Sequence, residues 1–268
     1  MTSNPPSLSI LGCRGIPARH GGFETFAEGL ALHLSAKGWR VTVYCQADGK
    51  RGANESEWRG IRLIEIGVRQ RGPLGTMVFD LFSTLHAARE GGPVLTLGYN
   101  TSPFFLLYRL HGVANVVNMD GLEWKRSKWS WWQRAWLLCC ERIAPWLAYR
   151  CVADHPAIAD HLSRGGTKTR MPVIPYGCGR MGAETPEALE DLGLRTGDYA
   201  IVVARPEPEN SMLEIISGWS VRPRGHKLLI VGDLGSVPRR WAGRLRGAAA
   251  DEVVFAGSEY DPDRLDTL

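Results

Sequence analysis

Short apolar segments alternate with helical segments along nearly the whole chain, and this alternation limits the folds that the chain can adopt. Residues 7–12 (SLSILG) form a short apolar run, and residues 22–37 carry apolar side chains at helical spacing. The same alternation continues to residue 177 and resumes at residue 199. Strand–helix alternation is typical of α/β proteins with mostly parallel sheets. The sequence therefore predicts two Rossmann-like blocks.

The segment between the two blocks has a different composition. Residues 178–197 are polar and rich in Gly and Pro, which is typical of a linker. These boundaries place an N-terminal Rossmann-like domain at residues 1–177 and a C-terminal one at residues 198–268. The second block has about 70 residues, fewer than most domains contain. We therefore expect the second domain to be incomplete.

Charge and cysteine content exclude several classes of function. The formal net charge of +4 is too small to indicate nucleic-acid binding, but it is compatible with an anionic ligand or membrane surface. The six cysteines form no CxxC pair, so neither a zinc site nor a disulfide framework is predicted. The N-terminal residues predict no signal peptide, and the sequence contains no apolar run long enough to span a bilayer. We expect a cytoplasmic protein that attaches, at most, to the inner face of the plasma membrane.

A glycine-rich loop, GCRGIPARHGG at residues 12–22, joins the first strand to the first helix. Its spacing does not match the G-x-G-x-x-G of dinucleotide-binding proteins, and no G-K-[ST] follows the glycines as in P-loop proteins. Gly21 and Gly22 precede the helix, where backbone N–H groups and the helix dipole favour an anion, and Arg14 and Arg19 add positive charge. The alternative is a βα turn in which the glycines only allow tight packing.

Several motifs together resemble glycosyltransferase family 4, the retaining enzymes of GT-B fold. The resemblance extends over essentially the whole chain and is closest to a rhamnosyltransferase-like subgroup of polysaccharide biosynthesis. The motifs that carry it are LGCRGIPARHGGFETFAEGLA (11–31), NMDGLEWKRSKW (118–129), VADHPAIADHL (152–162), VIPYG (173–177), ARPEPEN (204–210), IVGD (230–233) and VVFAGSEYD (253–261).

The resemblance implies two Rossmann-like domains that face each other across a cleft. It implies transfer of a sugar, with rhamnose as the sugar that the subgroup suggests, from a nucleoside-diphosphate sugar to a glycan or polyprenyl-linked acceptor. No metal and no cofactor is expected beyond the nucleotide-sugar co-substrate, and no nucleic acid is expected as a partner. Because the second block is short, the alternative is a truncated, non-catalytic relative that binds an acceptor or a membrane.

The resemblance also implies where the donor diphosphate binds. Arg205 opens ARPEPEN at the end of a predicted strand, where the family places a diphosphate-binding arginine. The predicted donor set is Gly21, Gly22, Arg205 and Asn210. The chain departs from the family at Glu209 and Asn210, where a lysine is usual.

NMDGLEW follows another predicted strand and supplies short polar side chains suited to sugar hydroxyls or to general-base catalysis. We expect Asp120 to be the catalytic residue, although an Asp-Gly turn would explain it equally well. Asn118, Glu123 and Glu24 are expected to bind the acceptor or the sugar, and for Glu24 the alternative is a favourable position at the helix N-terminus.

A basic and aromatic block, WKRSKWSWWQRAW, spans residues 124–136. Tryptophan and cations of this kind are typical of proteins that bind a membrane surface. We expect Lys125, Arg126, Lys128, Trp129 and Trp131 to face an anionic membrane. Apolar side chains at helical spacing are expected to pack inward instead: Trp132, Ala135, Trp136, Cys139, Ile143 and Leu147.

Overall fold

The computed structural model describes residues 5–19, 21–49, 52–70, 72–165, 171–177 and 189–268. The chain divides into two compact units, Met1–Cys178 and Gly179–Leu268. Residues 178–188, where the predicted linker begins, lie outside the described residues, and so does His20. The facing of two domains across a cleft stays a prediction.

The described strands of the first unit form one sheet. They are β1 (Ser7–Leu11), β2 (Arg40–Asp48), β3 (Ala53–Trp58), β4 (Ile61–Val68), β5 (Val94–Leu97), β6 (Asn115–Met119) and β7 (Arg150–Ala153). Their order in the sheet is β3-β4-β2-β1-β5-β6-β7. All neighbouring strands are parallel except β3, which runs antiparallel to β4. The carboxyl ends of the parallel strands therefore meet along one edge of the sheet.

Helices cover both faces of this sheet. They are α1 (Gly22–Ala36), α2 (Gly72–Glu90), α3 (Phe105–Leu110), α4 (Trp131–Leu147) and α5 (Pro156–Arg164). Ala27 and Ala31 of α1 are fully buried in one apolar cluster with strand residues such as Val43. Phe79 of α2 and Tyr108 of α3 belong to a separate cluster, which also contains residues of α4 and α5. This two-sided arrangement confirms the predicted α/β fold class.

The edge strand β3 is the element that the sequence analysis missed. Its sequence, ANESEW, has little apolar character, and every residue before Trp58 is exposed. The strand is held by backbone pairing with β4 and by the ion pair of Glu55 with Arg62 at 2.7 Å, and Trp58 is its one side chain that packs against the described core. Apolar periodicity cannot predict a strand of this kind, and its acidic side chains protect the sheet edge from further pairing.

The orientation predicted for α4 is wrong at four of its six positions, while Ile143 and Leu147 are half-buried and Leu147 packs against the core. Trp132 is 59% exposed, Trp136 is 36% exposed, and Ala135 and Cys139 are exposed as well. The buried side chains of α4 lie on another side of the helix: Leu137, Cys140, Glu141 and Ala144. The small side chains of Cys140 and Ala144 let the helix approach the preceding loop, where the Ser102 hydroxyl donates to the Cys140 carbonyl at 2.7 Å. A tryptophan at those positions would not fit.

The second unit contains a smaller parallel sheet. Its described strands are β8 (Tyr199–Val203), β9 (Lys227–Val231) and β10 (Val253–Gly257), in the order β10-β9-β8. Its described helices are α6 (Met212–Ser220), α7 (Arg239–Gly247) and α8 (Pro262–Thr267). Each element corresponds to one predicted from the sequence. Among the described residues of the whole chain, none of the helices combines the length and the apolar composition that a membrane span requires.

Asp80 of α2 makes the stability of the first unit depend on pH. Its Oδ2 atom accepts from the Thr101 hydroxyl at 2.9 Å, and burial raises the pKa of its carboxyl to about 7. Because the unfolded chain releases this proton near pH ~4 and the folded chain keeps it, the free energy of unfolding falls as the pH rises from about 4 to about 7.

Asp80→Asn keeps an acceptor for Thr101 and removes the titrating group. We expect a melting temperature more than ~2 °C above that of the parent near pH 8, and no such gain near pH 4. Thermal unfolding across this pH range measures the effect, and the exposed Asp160→Asn serves as the control. A parallel pH profile for the parent and Asp80→Asn would contradict the account.

Candidate functional site

The first glycines of the loop after β1 are required by the backbone. Gly12 has φ +86°, and a Cβ atom there would lie 2.1 Å from the carbonyl oxygen of Leu97 on β5. Gly15 has φ +130°, and its Cβ would lie 2.8 Å from the Cys45 side chain. Both positions combine a left-handed backbone with close contact, so only glycine fits without strain.

Two carboxylates of α1 hold the middle of the loop. Glu24 Oε1 accepts from the backbone N–H of Arg14 at 2.9 Å, and Glu28 Oε2 accepts from that of Ala18 at 2.6 Å. Glu24 is only 6% exposed. These bonds account for Glu24 without a ligand, and its contact with a sugar stays a prediction.

Gly21 and Gly22 are in a different situation from Gly12 and Gly15. Gly21 is extended, and a Cβ there would come no closer than 3.6 Å to Glu24 Oε2, while a Cβ on Gly22 would have nothing within 4 Å. No side chain of the described residues caps the N-terminus of α1. Space is therefore open above the start of the helix, where unpaired N–H groups favour an anion.

Strand register brings two carboxylates together at the carboxyl edge. Met119 of β6 pairs with Ala153 of β7, so the residues that follow them, Asp120 and Asp154, are neighbours. Burial raises the pKa of the Asp154 carboxyl, and the nearby Asp120 carboxylate raises it further. The Oδ1 atom of Asp154 is buried and has no hydrogen-bond partner among the described residues. The sequence analysis missed Asp154, although it follows a strand in the same way as Asp120.

Tyr176 lies over this edge. Its hydroxyl accepts from Asn118 Nδ2 at 2.8 Å, and its ring packs edge-on against Phe26 of α1 with centroids 4.9 Å apart. Asn118 is 5% exposed, and its Oδ1 atom has no partner among the described residues. Asn118, Asp120, Asp154 and Tyr176 thus form one polar group, which we call the carboxyl-edge cluster.

Glu123, predicted to bind a sugar, lies outside this cluster. It is 8% exposed, forms an ion pair with Arg126 at 3.1 Å, and accepts from Trp129 Nε1 at 3.3 Å. Arg126 and Trp129 were expected to face a membrane, but both are half-buried and bonded to Glu123. Lys125, Lys128 and Trp131 are exposed, as expected.

A further buried carboxylate, Glu141 of α4, was not predicted from the sequence. It is 1% exposed and accepts from Trp124 Nε1 at 2.8 Å, and its Oε1 lies 3.0 Å from His161 Nε2. A cavity of about 200 Å³ adjoins it, lined by Glu141, Arg142, Pro145, Trp146, His161, Leu162 and Gly165. Glu141 occupies a core position of α4, where apolar periodicity does not identify a carboxylate, and its contact with His161 joins α4 to α5.

In the second unit, Arg205 and Asn210 lie on one loop after β8. The side chain of Arg205 is 55% exposed and forms an ion pair with Glu207, with 3.5 Å between a guanidinium nitrogen and Oε1. Asn210 Nδ2 donates to the Arg205 carbonyl at 2.7 Å. Asn210 thus supports the loop, and Arg205 presents its guanidinium at the surface near the carboxyl end of the strand.

No group of three or more His, Cys, Asp or Glu side chains in the described ranges could hold a metal ion. The expectation that catalysis needs no metal stays a prediction. Carboxylates, an amide and a phenol suit the hydroxyl groups of a sugar, and a guanidinium suits a phosphate.

Comparison with known proteins defines the family. The model described as "Domain of unknown function (DUF1972)" matches residues 7–179, so the chain belongs to that family. A search of curated proteins found no match.

Solved structures of low sequence identity share the fold. Anabaena Alr3699/HepE in complex with UDP and glucose is 16% identical over 98% of this chain and 71% of its own, with a TM-score of 0.67. The catalytic domain of starch synthase IV from Arabidopsis thaliana, bound to ADP and acarbose, is 12% identical. The match covers 99% of this chain and 76% of the synthase chain, with a TM-score of 0.67. A UDP-N-acetylglucosamine 2-epimerase is 14% identical, and the match covers 99% of this chain and 72% of the epimerase chain, with a TM-score of 0.57. The chain therefore has a fold of the GT-B type.

The two groups of loop glycines should respond differently to alanine. Gly12→Ala should lower the free energy of unfolding by about 3 kcal/mol or more, because it combines backbone strain with a clash at Leu97. Gly22→Ala should change it by less than about 0.5 kcal/mol, because the added methyl group contacts nothing. Urea unfolding measures both, and equal losses would contradict the structural distinction.

Proposed function

We propose that this protein transfers a sugar from a nucleoside-diphosphate sugar to a glycan or polyprenyl-linked acceptor, with retention at the anomeric carbon. The carboxyl-edge cluster is the observation that carries the proposal. Ligands of open α/β sheets bind at the carboxyl ends of the strands, near the point where the strand order reverses. Here that point lies between β1 and β5, because the chain leaves β1 towards β2 on one side and later returns to β5 on the other. The glycine loop leaves β1 at this point, and the cluster lies at the ends of β6 and β7, the next two strands beyond β5.

The proposed donor is a nucleoside-diphosphate sugar, as the motif resemblance implies. The HepE structure contains UDP and glucose, and the starch synthase structure contains ADP and acarbose. At 12–16% identity these relatives support the fold and not the substrate, and the epimerase shows that the same fold serves another reaction. Rhamnose as the sugar and polysaccharide assembly as the process rest on the motif resemblance and are part of the proposal.

Arg205 and the Gly21–Gly22 step are the proposed diphosphate contacts. The guanidinium of Arg205 is accessible and forms an ion pair with Glu207 at 3.5 Å at the surface. A phosphate could readily replace Glu207 as its partner. The open space above Gly22 leaves room for phosphate oxygens beside the N-terminus of α1. A guanidinium and a helix N-terminus each stabilise negative charge on a phosphate without a metal.

The carboxyl-edge cluster is proposed to bind the sugar and the attacking acceptor hydroxyl. Asn118 Oδ1 and Asp154 Oδ1 are buried acceptors without a partner among the described residues, and such atoms are costly unless a ligand or water donates to them. Asp120 stays the proposed catalytic residue, now with Asp154 beside it. The contacts of Glu24 and Glu123 with the acceptor or sugar stay predictions, and within the protein both carboxylates already have hydrogen-bond or ion-pair partners.

Titration with nucleotide sugars tests the donor part of the proposal. We expect saturable binding of one member of a panel of UDP-, ADP-, GDP- and dTDP-sugars, measured by calorimetry. Arg205→Ala should weaken binding about tenfold or more, because a charge-assisted contact to phosphate is lost. The matched control, Arg222→Ala, removes an exposed arginine that follows the far end of α6 and should leave the affinity unchanged.

Two results would contradict the proposal. Equal affinities for the Arg205 and Arg222 variants would remove Arg205 from the donor site. Absence of binding to every nucleotide sugar would instead favour the alternative of a non-catalytic relative that binds an acceptor or a membrane.

A further inference from the structure

The outward face of α4 is its apolar face. Residues 132, 136, 139, 143 and 146 follow one another at intervals of four and three, which places them on one stripe of the helix. Trp132 and Trp146 on this stripe are 59% and 76% exposed, and Trp136 is 36% exposed. The helix buries the other side, with Cys140, Glu141 and Ala144 at its centre. A helix of a globular protein normally has the reverse arrangement.

Neighbouring segments extend this apolar surface. Trp131, at the start of α4, is 82% exposed, and Tyr149, just after its end, is 69% exposed. The short helix α3 adds Leu106 and Leu110, which are 49% and 71% exposed. Arg109 of α3 donates to the carbonyl of Trp146 at 2.6 Å, so α3 is held against the end of α4. We call this set of exposed apolar side chains and the cations that accompany them the α3–α4 surface.

The exposed charges of the α3–α4 surface are positive. Between residues 105 and 150 there are three acidic side chains, of which Glu123 and Glu141 are buried and Asp120 is half-buried. Six cations in the same span are exposed: Arg109, Lys125, Lys128, Arg134, Arg142 and Arg150. Lys128 and Lys125 lie over the rings of Trp129 and Trp124, at 4.9 and 5.3 Å from the centroids.

We propose that the α3–α4 surface binds the surface of an anionic lipid bilayer. Tryptophan and tyrosine partition to the membrane interface, where the ring is covered and its polar group stays hydrated, and lysine and arginine are attracted to anionic headgroups. A bilayer supplies an apolar layer and a layer of negative charge together. A second copy of the same surface would instead bring two sets of cations together, with no exposed acidic side chain in the span to balance them.

The inference extends the proposed function, because a membrane-bound enzyme meets a lipid-linked acceptor on the bilayer. It does not depend on sugar transfer, since vesicle binding is measured without any substrate. Either part can therefore fail while the other is confirmed.

Sedimentation with vesicles tests the proposal directly. The full chain should co-sediment with vesicles of equimolar phosphatidylcholine and phosphatidylglycerol, and much less with phosphatidylcholine alone. Added salt should weaken binding, because screening reduces the attraction of the cations to the headgroups. Tryptophan emission should shift to shorter wavelength on binding, because the exposed rings leave water.

Paired variants separate the surface from general charge effects. Lys125→Glu with Lys128→Glu should reduce binding ~10-fold or more, while Arg239→Glu with Arg240→Glu, which changes the net charge equally at exposed positions of α7, should have little effect. Trp132→Ala with Trp146→Ala should also reduce binding and reduce the emission shift, to which the remaining Trp131 and Trp136 contribute. Tyr260→Ala, which removes an exposed ring of the second unit, is its control.

Three outcomes would overturn the proposal. They are absence of binding to the anionic vesicles, equal losses in the two charge-reversal variants, and full binding by the double tryptophan variant. Light scattering without vesicles adds a fourth test, with a single chain as the expected mass. A dimer that Trp132→Ala and Trp146→Ala convert to a monomer would assign the surface to self-association instead.

Discussion

The site of the first unit depends on one constraint, the close backbone contact between the loop after β1 and strand β5. Gly12 lies so close to the Leu97 carbonyl that no side chain fits between β1 and β5 at this level. Glu24 and Glu28 then fix the loop from α1, and α1 in turn supplies the rings against which Tyr176 packs. Tyr176 closes the arrangement through its hydrogen bond with Asn118. One close backbone contact thereby positions the glycine loop, the first helix and the carboxyl-edge cluster relative to one another.

The carboxylates of the first unit serve different purposes according to what surrounds them. Glu24, Glu123 and Glu141 are buried and bonded to backbone N–H, arginine, tryptophan or histidine groups, so they hold elements together. Asp120 and Asp154 lie side by side at the strand ends instead, and a buried oxygen of Asp154 has no partner in the described part of the chain. Buried polar atoms without partners are where a ligand gains most from binding. This contrast explains why the proposal places the sugar at the aspartates and not at the glutamates.

Much of the fold could be predicted from the sequence, because buried parallel strands are apolar and the helices between them are periodic. The polar edge strand β3 could not, since it is held by backbone pairing with β4 and by the ion pair of Glu55 with Arg62, neither of which leaves an apolar pattern in the sequence. The face of α4 was mispredicted because apolar periodicity identifies a stripe of the helix but not whether that stripe is buried. In α4 the side that packs against the core carries small residues such as Cys140 and Ala144. Asn118 and Asp120 could be predicted as site residues from their position at the end of a strand, and their roles stay predictions. The hydrogen bond of Asn118 with Tyr176, 58 positions along the chain, depends on tertiary structure that local patterns do not contain.

Acceptor-dependent turnover is the most direct test of the central claim. The full chain would be incubated with a nucleotide sugar and a polyprenyl-linked glycan in anionic vesicles, and the nucleoside diphosphate and the anomeric configuration of the product would be measured. We predict diphosphate release that requires the acceptor, a product that retains the donor's configuration, and loss of both in Asp120→Asn with the fold intact. Absence of release with every donor and acceptor, or release that Asp120→Asn leaves unchanged, would contradict sugar transfer at the carboxyl-edge cluster.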